Sequence, residues 1–431
     1  MTKQELYQAR LGTLEGALGL IRSGDVLATP FYGNEPSCFL SKLHTVAPQL
    51  SGVKIWLGNT VQRYPFAYDR SLAGHIDILS VFFGKECRDA HRDGRASLSP
   101  VNLSECAACV INTRRPNVFV AAVSPMDEDG NVRMSFDVEY SLEALEAADT
   151  VIFEVNRNHP RFCGETAVGV EKAAYLYEVD APLPYAAQIR PTPAEETIAG
   201  YVASLVKDGD CIQLSIGGTS VAVGRALKSK RDLGIHSEMI TATMGELMRA
   251  GAVTNARKNF NPGKTVGAFV WGDQALYDCL DGNEDVILRR CSYVNDPFVI
   301  SQNDNLVSIN TAIQVDLTGQ VCSESIGTRP YSGTGGAYDF AYGARRSKGG
   351  RGIIAMSSTT KDGSISKIRP VLDPGAVVTI TRNVSDYIVT EYGIARMRDK
   401  TVRERVDALI AVAHPDFRAE LRREAENYRL W

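Results

Sequence analysis

Stretches with a helical period alternate along this chain with short runs rich in Val and Ile. That alternation is the strongest constraint on what it can fold into. Thr13–Ile21 has the helical period and is followed by Gly24-Asp25 and the strand-like Val26–Ala28. Leu142–Ala148 is helical, then Thr150–Val155 is strand-like. Val202–Val206 is helical, followed by Gly209-Asp210 and the strand-like Cys211–Leu214. Helices and strands in alternation predict an α/β protein with mainly parallel sheets.

The pattern repeats. Leu18–Leu27 and Ala203–Ile212 share the order helix, Gly-Asp, strand. Ala122–Val132 and Ala355–Ile365 share a strand followed by an Asp-Gly turn, a hairpin signal. The two echoes keep their order in each half, which predicts two related open α/β domains in tandem. The expected junction is Arg190-Pro-Thr-Pro193, where two prolines set an extended connector. The domains are therefore expected at 1–190 and 191–431. Thr192 or Thr197 is expected to start the next helix, with Glu195 and Glu196 suiting its first turn.

Length and charge narrow the function. The 431 residues suffice for two or three domains with large cores. A net charge of −4 gives no electrostatic reason to expect nucleic acid or an anionic membrane as partner. No apolar run is long enough to span a bilayer. The first residues lack the basic-then-apolar plan of a secretion signal, so a cytoplasmic protein is expected. Nine cysteines, an odd number, do not form a disulfide framework. Cys106-Ala-Ala-Cys109 has the spacing of half a zinc site or a redox pair, but no second pair follows it; two buried thiols on an apolar segment is the plainer reading.

Three places invite chemistry. Glu238, in Leu233-Gly-Ile-His-Ser-Glu-Met239, follows a short apolar run and precedes a helical pattern. Alternating folds expose reactive groups at such positions. A lone glutamate is otherwise a surface carboxylate, and His236 reads either as its partner or as a structural histidine. In the second place, an apolar run enters Ile216-Gly217-Gly218 and then a helix, so backbone N–H groups and a helix start could receive an anion. The third, Ser332-Gly-Thr-Gly-Gly336, is not a dinucleotide fingerprint. Its Gly333, Gly335 and Gly336 read either as a wall close to a ligand or as a structural loop. Ile309–Val321 alternates like a half-buried strand whose polar face either lines a cleft or meets water.

Together these motifs make the chain resemble the acetyl-CoA hydrolase/transferase branch of the class I coenzyme A-transferases. That branch includes 4-hydroxybutyrate and butyryl-CoA:acetate CoA-transferases. The matching pieces are Gly234–Met239, Tyr293–Asn305, Val315–Val321, Ser332–Gly336, Ala344–Gly350, Val389–Ala395 and Ala413–Phe417. The resemblance implies tandem domains of the CoA-transferase type, with the active site in the cleft between them. It implies that Glu238 is a nucleophile that carries CoA as a glutamyl thioester. Ile216, Gly217, Gly218, Gly333, Gly335 and Gly336 then become candidates for the oxyanion hole and CoA contacts. The implied substrates are coenzyme A, as acyl-CoA, and small carboxylates. No metal is required, and a homo-oligomer is expected.

The N-terminal half departs from the family pattern. Pro30-Phe-Tyr-Gly-Asn34 stands where relatives carry small residues or histidine before Glu35-Pro36. Phe31, Tyr32, Val61 and Arg63 are the expected acyl-pocket residues, with Gln62 beside them. Arg63 reads either as a partner for the second carboxylate of succinate or itaconate, or as a surface arginine. Gln314 stands where relatives often have Glu, and no catalytic role is expected of it. The rival readings are an acyl-CoA hydrolase using the same Glu238, and a sugar-phosphate isomerase or ligand-binding relative of similar build.

Overall fold

The computed structural model describes all 431 residues, Met1–Trp431. They form two compact units, Met1–Ala186 with Val266–Val294, and Ala187–Thr265 with Asn295–Trp431. The sequence-based division at 190 and 191 falls beside the first changeover. The return of Val266–Val294 to the first unit had no sequence signal. It is fixed by backbone pairing: Val138 N–H donates to the Ala268 carbonyl at 3.1 Å, and Val270 N–H to the Phe136 carbonyl at 2.8 Å.

The first unit is built on seven strands: β1 (Val26–Ala28), β2 (Val53–Trp56), β3 (Ile76–Ser80), β4 (Ala96–Leu98), β5 (Val118–Val123), β6 (Thr150–Asn156) and β7 (Tyr175–Val179). They lie in the order β7-β6-β5-β1-β2-β3-β4, and every pairing is parallel. A parallel sheet covered on both faces needs apolar residues on both sides. β5, Val-Phe-Val-Ala-Ala-Val, is buried at every position for that reason. The chain starts at β1, runs outward to β4, and returns to β5 beside β1. That reversal is a topological switch point, where the carboxyl ends of neighbouring strands leave a crevice.

A buried glutamate interrupts the apolar β6. Helix α1 (Ser37–Val46) begins after Pro36, which has no side chain to cap it. Its orphan N–H groups need acceptors. Glu154 of β6 supplies them, accepting from Phe39 N–H at 3.0 Å and Cys38 N–H at 3.4 Å. The Tyr177 hydroxyl completes the set at 2.5 Å.

The second unit carries β8 (Cys211–Leu214), β9 (Gly234–Ile235), β10 (Leu306–Asn310), β11 (Arg351–Ala355), β12 (Tyr387–Thr390) and β13 (Gly393–Arg396). Their order is β9-β8-β10-β11-β12-β13, parallel except for β13. Its switch point lies between β8 and β10. There Gln213 Oε1 accepts from Ser308 Oγ at 2.9 Å and Ile309 N–H at 3.2 Å, so a buried polar network ties the two strands.

The internal echo has a structural counterpart. Gly24 and Gly209 take φ of +83° and +82°, values that favour glycine. Asp25 accepts from Arg22 N–H at 2.7 Å, and Asp210 from Lys207 N–H at 2.6 Å. The same turn therefore delivers the chain into β1 and into β8.

Several local expectations change. The helix expected over Thr13–Ile21 is only Leu14–Leu18, capped by Thr13 and stopped at Gly19. The one expected from Val202 begins at Pro193. Ile309–Val321 is not one strand: the chain breaks after Asn310 and resumes as Gln314–Asp316, buried at all three positions. Asp316 Oδ1 then accepts from Thr318 N–H at 2.9 Å and Gln320 N–H at 3.0 Å, folding the polar alternation into a turn. Cys106 is buried and Cys109 half-buried, both unpaired on the helix Cys106–Arg114. No helix is long and apolar enough to cross a membrane.

The connector ends in helix α2 (Pro193–Leu205). Thr192 and Glu195 form a reciprocal capping box, with Pro193 in the first turn. Thr192→Ala should lower the unfolding free energy by about 1 kcal/mol. Denaturant titration of both proteins checks this.

Candidate active site

Glu238 sits in a bend between β9 and the strand Met239–Thr241. It therefore leaves the carboxyl end of β9, beside the switch point of its sheet. The bend is pinned from several sides. Asn255 Oδ1 accepts the Ile235 N–H at 2.9 Å. The buried Lys258 ammonium donates to the Ile235 carbonyl at 2.9 Å and the Lys264 carbonyl at 2.7 Å. Burial holds that ammonium below the usual lysine range. Ser237 Oγ donates to the Met239 carbonyl at 2.9 Å, and helix α4 (Ala242–Arg249) starts on a Thr241 cap.

The carboxylate of Glu238 meets two donors. Asn295 Nδ2 reaches Oε2 at 3.0 Å, and the Gly336 N–H adds a backbone hydrogen bond. Burial raises the Glu238 pKa above the ordinary carboxylate value, and the two hydrogen bonds act in the opposite direction. The result is a desolvated, oriented carboxylate, which is what a weak oxygen nucleophile requires.

A helix crossing brings the two donors together. Asp296 caps the short helix Pro297–Ser301, accepting from Phe298 N–H at 2.8 Å. That helix packs on α5 (Ala337–Arg346), where a Cβ on Gly343 would run into Ile300. Glycine at 343 permits the close approach, which sets Asn295 beside Gly336 at the start of α5. A Cβ on Gly336 would overlap Glu238 Oε2 and Asn295 Nδ2. Only glycine fits there, and this is the reason for the last glycine of the triplet. The loop before it is anchored by Glu324, whose Oε1 accepts from Thr379 Oγ1 at 2.9 Å and whose backbone carbonyl accepts from Tyr331 N–H at 2.8 Å. Gly335 takes a φ of +55°. Gly333 lies in the same loop.

The second glycine turn lies at the same edge of the sheet. Ile216, Gly217 and Gly218 follow β8 directly, at the switch point, and lead into helix α3 (Gly218–Ala226). Gly217 has a φ of +111°, and a Cβ on Gly218 would run into Glu195. Ile216 leaves 52% of its surface exposed, unusual for an isoleucine and consistent with a ligand-facing loop. His236 is fully buried, with its ring 6.1 Å from that of Phe340. Gln314 is occupied by Asp373, donating to its carboxylate at 3.3 Å and accepting its N–H at 3.0 Å.

The four expected acyl-pocket residues belong to the first unit and are not alike. Phe31 is buried, edge-on to Tyr140 at 5.2 Å, and fills the space over Gly58. Tyr32 takes a φ of +49°, strained for an aromatic residue. The surroundings over-determine it: its ring stacks on Phe269 at 5.2 Å, and its hydroxyl accepts from Asn59 Nδ2 at 2.9 Å. On either side, Phe31 N–H donates to Asp137 at 2.7 Å, and Asn34 Oδ1 accepts from Phe136 N–H at 2.6 Å. Val61 lines a cavity described below. Arg63 lies 3.6 Å from Glu86 and over the Tyr68 ring at 4.7 Å.

Nothing local in the sequence marks Asn295 as a partner of Glu238. Its partner is 57 positions away, and Asn295-Asp296-Pro297 looks like an ordinary turn. The available signal was a polar residue directly before a helix cap, beside an apolar segment.

Two family models match the chain: the acetyl-CoA hydrolase/transferase N-terminal domain over residues 1–185 and the corresponding C-terminal domain over 272–425. A succinyl-CoA:cyclohexane-1-carboxylate CoA transferase of Geobacter metallireducens is 40% identical, over 96% of this chain and 94% of that one. A 4-hydroxybutyrate coenzyme A transferase of Clostridium kluyveri is 39% identical, over 98% and 99%. The crystal structure of RipA from Yersinia pestis superposes with a TM-score of 0.94 at 33% identity, covering 100% of both chains.

Asn295→Ala should lower kcat by about 10²–10³-fold, as removal of one such donor does elsewhere. It should also move the acid limb of the kcat pH profile upward, because the Glu238 carboxylate loses a bond that favours its charged form. Gly336→Ala should lose at least as much, with the fold retained by circular dichroism.

Proposed function

The chain belongs to the acetyl-CoA hydrolase/transferase family, and on that premise we propose that it moves coenzyme A between a short-chain acyl-CoA and a carboxylate through a glutamyl-CoA thioester on Glu238. The observation that carries this reading is the half-buried Glu238 carboxylate held at Oε2 by Asn295. The Clostridium kluyveri relative is named for 4-hydroxybutyrate, and butyrate, acetate and 4-hydroxybutyrate are the proposed acceptors.

Tethering Oε2 leaves Oε1 as the attacking oxygen. Oε1 adds to the thioester carbonyl carbon, and the tetrahedral adduct expels the CoA thiolate to give an acyl-glutamyl anhydride. The thiolate then adds to the glutamyl carbon. The negative charge formed in that step falls on Oε2, where Asn295 Nδ2 and the Gly336 N–H receive it. Collapse expels the acyl group as a carboxylate carrying Oε1 and leaves the thioester. An incoming carboxylate reverses the sequence. The Ile216–Gly218 turn is the proposed donor set for the oxyanion on the acyl carbon. The loaded site has to keep water from the anhydride and the thioester. Hydrolysis is the same chemistry with water as the acceptor, and the desolvation that raises the Glu238 pKa argues against it.

Monocarboxylates are favoured over dicarboxylates by the state of Arg63. Its guanidinium already has Glu86 and the Tyr68 ring as partners. Phe31, Tyr32 and Val61 remain the proposed residues of acyl selection. The partners are acyl-CoA and small carboxylates, in a homo-oligomeric, cytoplasmic enzyme.

An isotope experiment follows from the two unequal oxygens. Turnover with butyryl-CoA and butyrate labelled with oxygen-18 at both carboxylate oxygens should place one label in the Glu238 peptide. Peptide mass spectrometry reads it. Two labels would show that Oε2 is not held. No label during active exchange would sink the covalent route.

A further inference from the structure

The first unit contains a cavity of about 540 Å³, of which the proposed reaction uses only the Val61 wall. That volume suits a small organic ligand. It opens at the switch point of the first sheet. Ala122 comes from the end of β5, Glu154 and Asn156 from β6, and Glu35 from the segment joining β1 to α1. Leu14, Val61 and Leu183 give it apolar walls.

Glu35 is the unusual group in this wall. It is 3% exposed and carries no cationic partner. The Tyr64 hydroxyl and the Val61 N–H, at 3.2 Å, both donate to Oε1. No protein donor reaches Oε2. A buried carboxyl with one oxygen doubly satisfied and the other unused is poised for a ligand. Burial first, then the nearby Glu154 and Glu86, push Glu35 up to about 8, although Tyr64 and Val61 pull the other way. At neutral pH it is therefore a carboxylic acid with a proton to donate. The other titratable groups facing the space do not replace it. Glu154 is engaged by α1 and Tyr177. Burial pushes the Cys38 thiol up to about 11 and His159 down to about 3. Lys42 lies exposed at the rim.

We propose that this cavity binds a small organic carboxylate with an apolar body, whose carboxylate oxygen accepts a hydrogen bond from Glu35 Oε2. The apolar body lies against Leu14, Val61 and Ala122. A carboxylic acid donating to a carboxylate makes a short, charge-assisted bond. An ammonium ligand would need Glu35 ionised, and a second carboxylate on the ligand would meet Glu154. The acid is either the acceptor of the transfer reaction or a separately bound regulator. Only the first of these rests on the proposed function.

Calorimetry on the full-length Glu238→Ala protein tests the site without turnover. The probes are butyrate and cyclohexanecarboxylate, with cyclohexylamine as the control and no CoA present. Both acids should bind at pH 6.5 and weaken about tenfold per pH unit above pH 8, as Glu35 ionises. Glu35→Gln keeps a donor and removes the titration, so binding should persist and stay flat across that range. Ser41→Trp, on the half-buried face of α1 that lines the cavity, should block binding and leave the fold intact. The proposal is overturned if neither acid binds at pH 6.5, if Ser41→Trp leaves binding unchanged, or if cyclohexylamine binds more tightly than the acids. In the otherwise natural protein, Ser41→Trp raising the KM for the acid assigns the site to the acceptor. An altered response to added acid with acetate as acceptor assigns it to a regulator. Failure of the Glu238 chemistry would leave this binding result untouched.

Discussion

The hydrogen bond from Asn295 Nδ2 to Glu238 Oε2 is the interaction on which the reactive part of the second unit depends. It makes the two oxygens of one carboxylate unequal. It also offsets part of the cost of burying a charge, so the group can ionise while water is kept away. The bond exists only because two helices approach closely at Gly343 and Ile300, and because residue 336 has no side chain. The proposed nucleophile, its orienting donor and its backbone donor thus come from three chain segments that share no local sequence pattern.

The first unit solves a related problem differently. Its parallel sheet also buries a carboxylate, Glu154, but spends it on the start of α1, where Pro36 provides no cap. Glu154 then weighs on the neighbouring Glu35, which burial already favours in the neutral form. The two units share the Gly-Asp turn before their first sheet strand and a switch point beside it. In the second unit, a glycine turn and the proposed nucleophile Glu238 occupy that edge. In the first, the same kind of edge is a cavity with a neutral acid in its wall.

Local signals were readable where local chemistry decides. Thr192, Pro193 and Glu195 announce a helix start within four residues, and the structure uses all three. Cys211–Leu214 and Thr150–Asn156 read as strands because both faces are buried and the apolar run is continuous. Glu238 was readable as a residue at a strand end before a helix. The remainder depends on distant contacts. The alternation over Ile309–Val321 imitates a strand, but Asp316 turns the chain. Glu154 sits inside an otherwise apolar run, and only the tertiary packing of α1 gives it a role. Asn295 gains its meaning from a helix crossing that no periodicity encodes.

The most direct measurement of the central claim is intact-protein mass spectrometry after mixing the enzyme with butyryl-CoA alone, followed by peptide mapping. The expected result is a covalent CoA adduct on the peptide that contains Glu238, removed by added carboxylate. Steady exchange with no adduct, or an adduct on any other residue, would contradict the assignment of Glu238 as the group that carries coenzyme A.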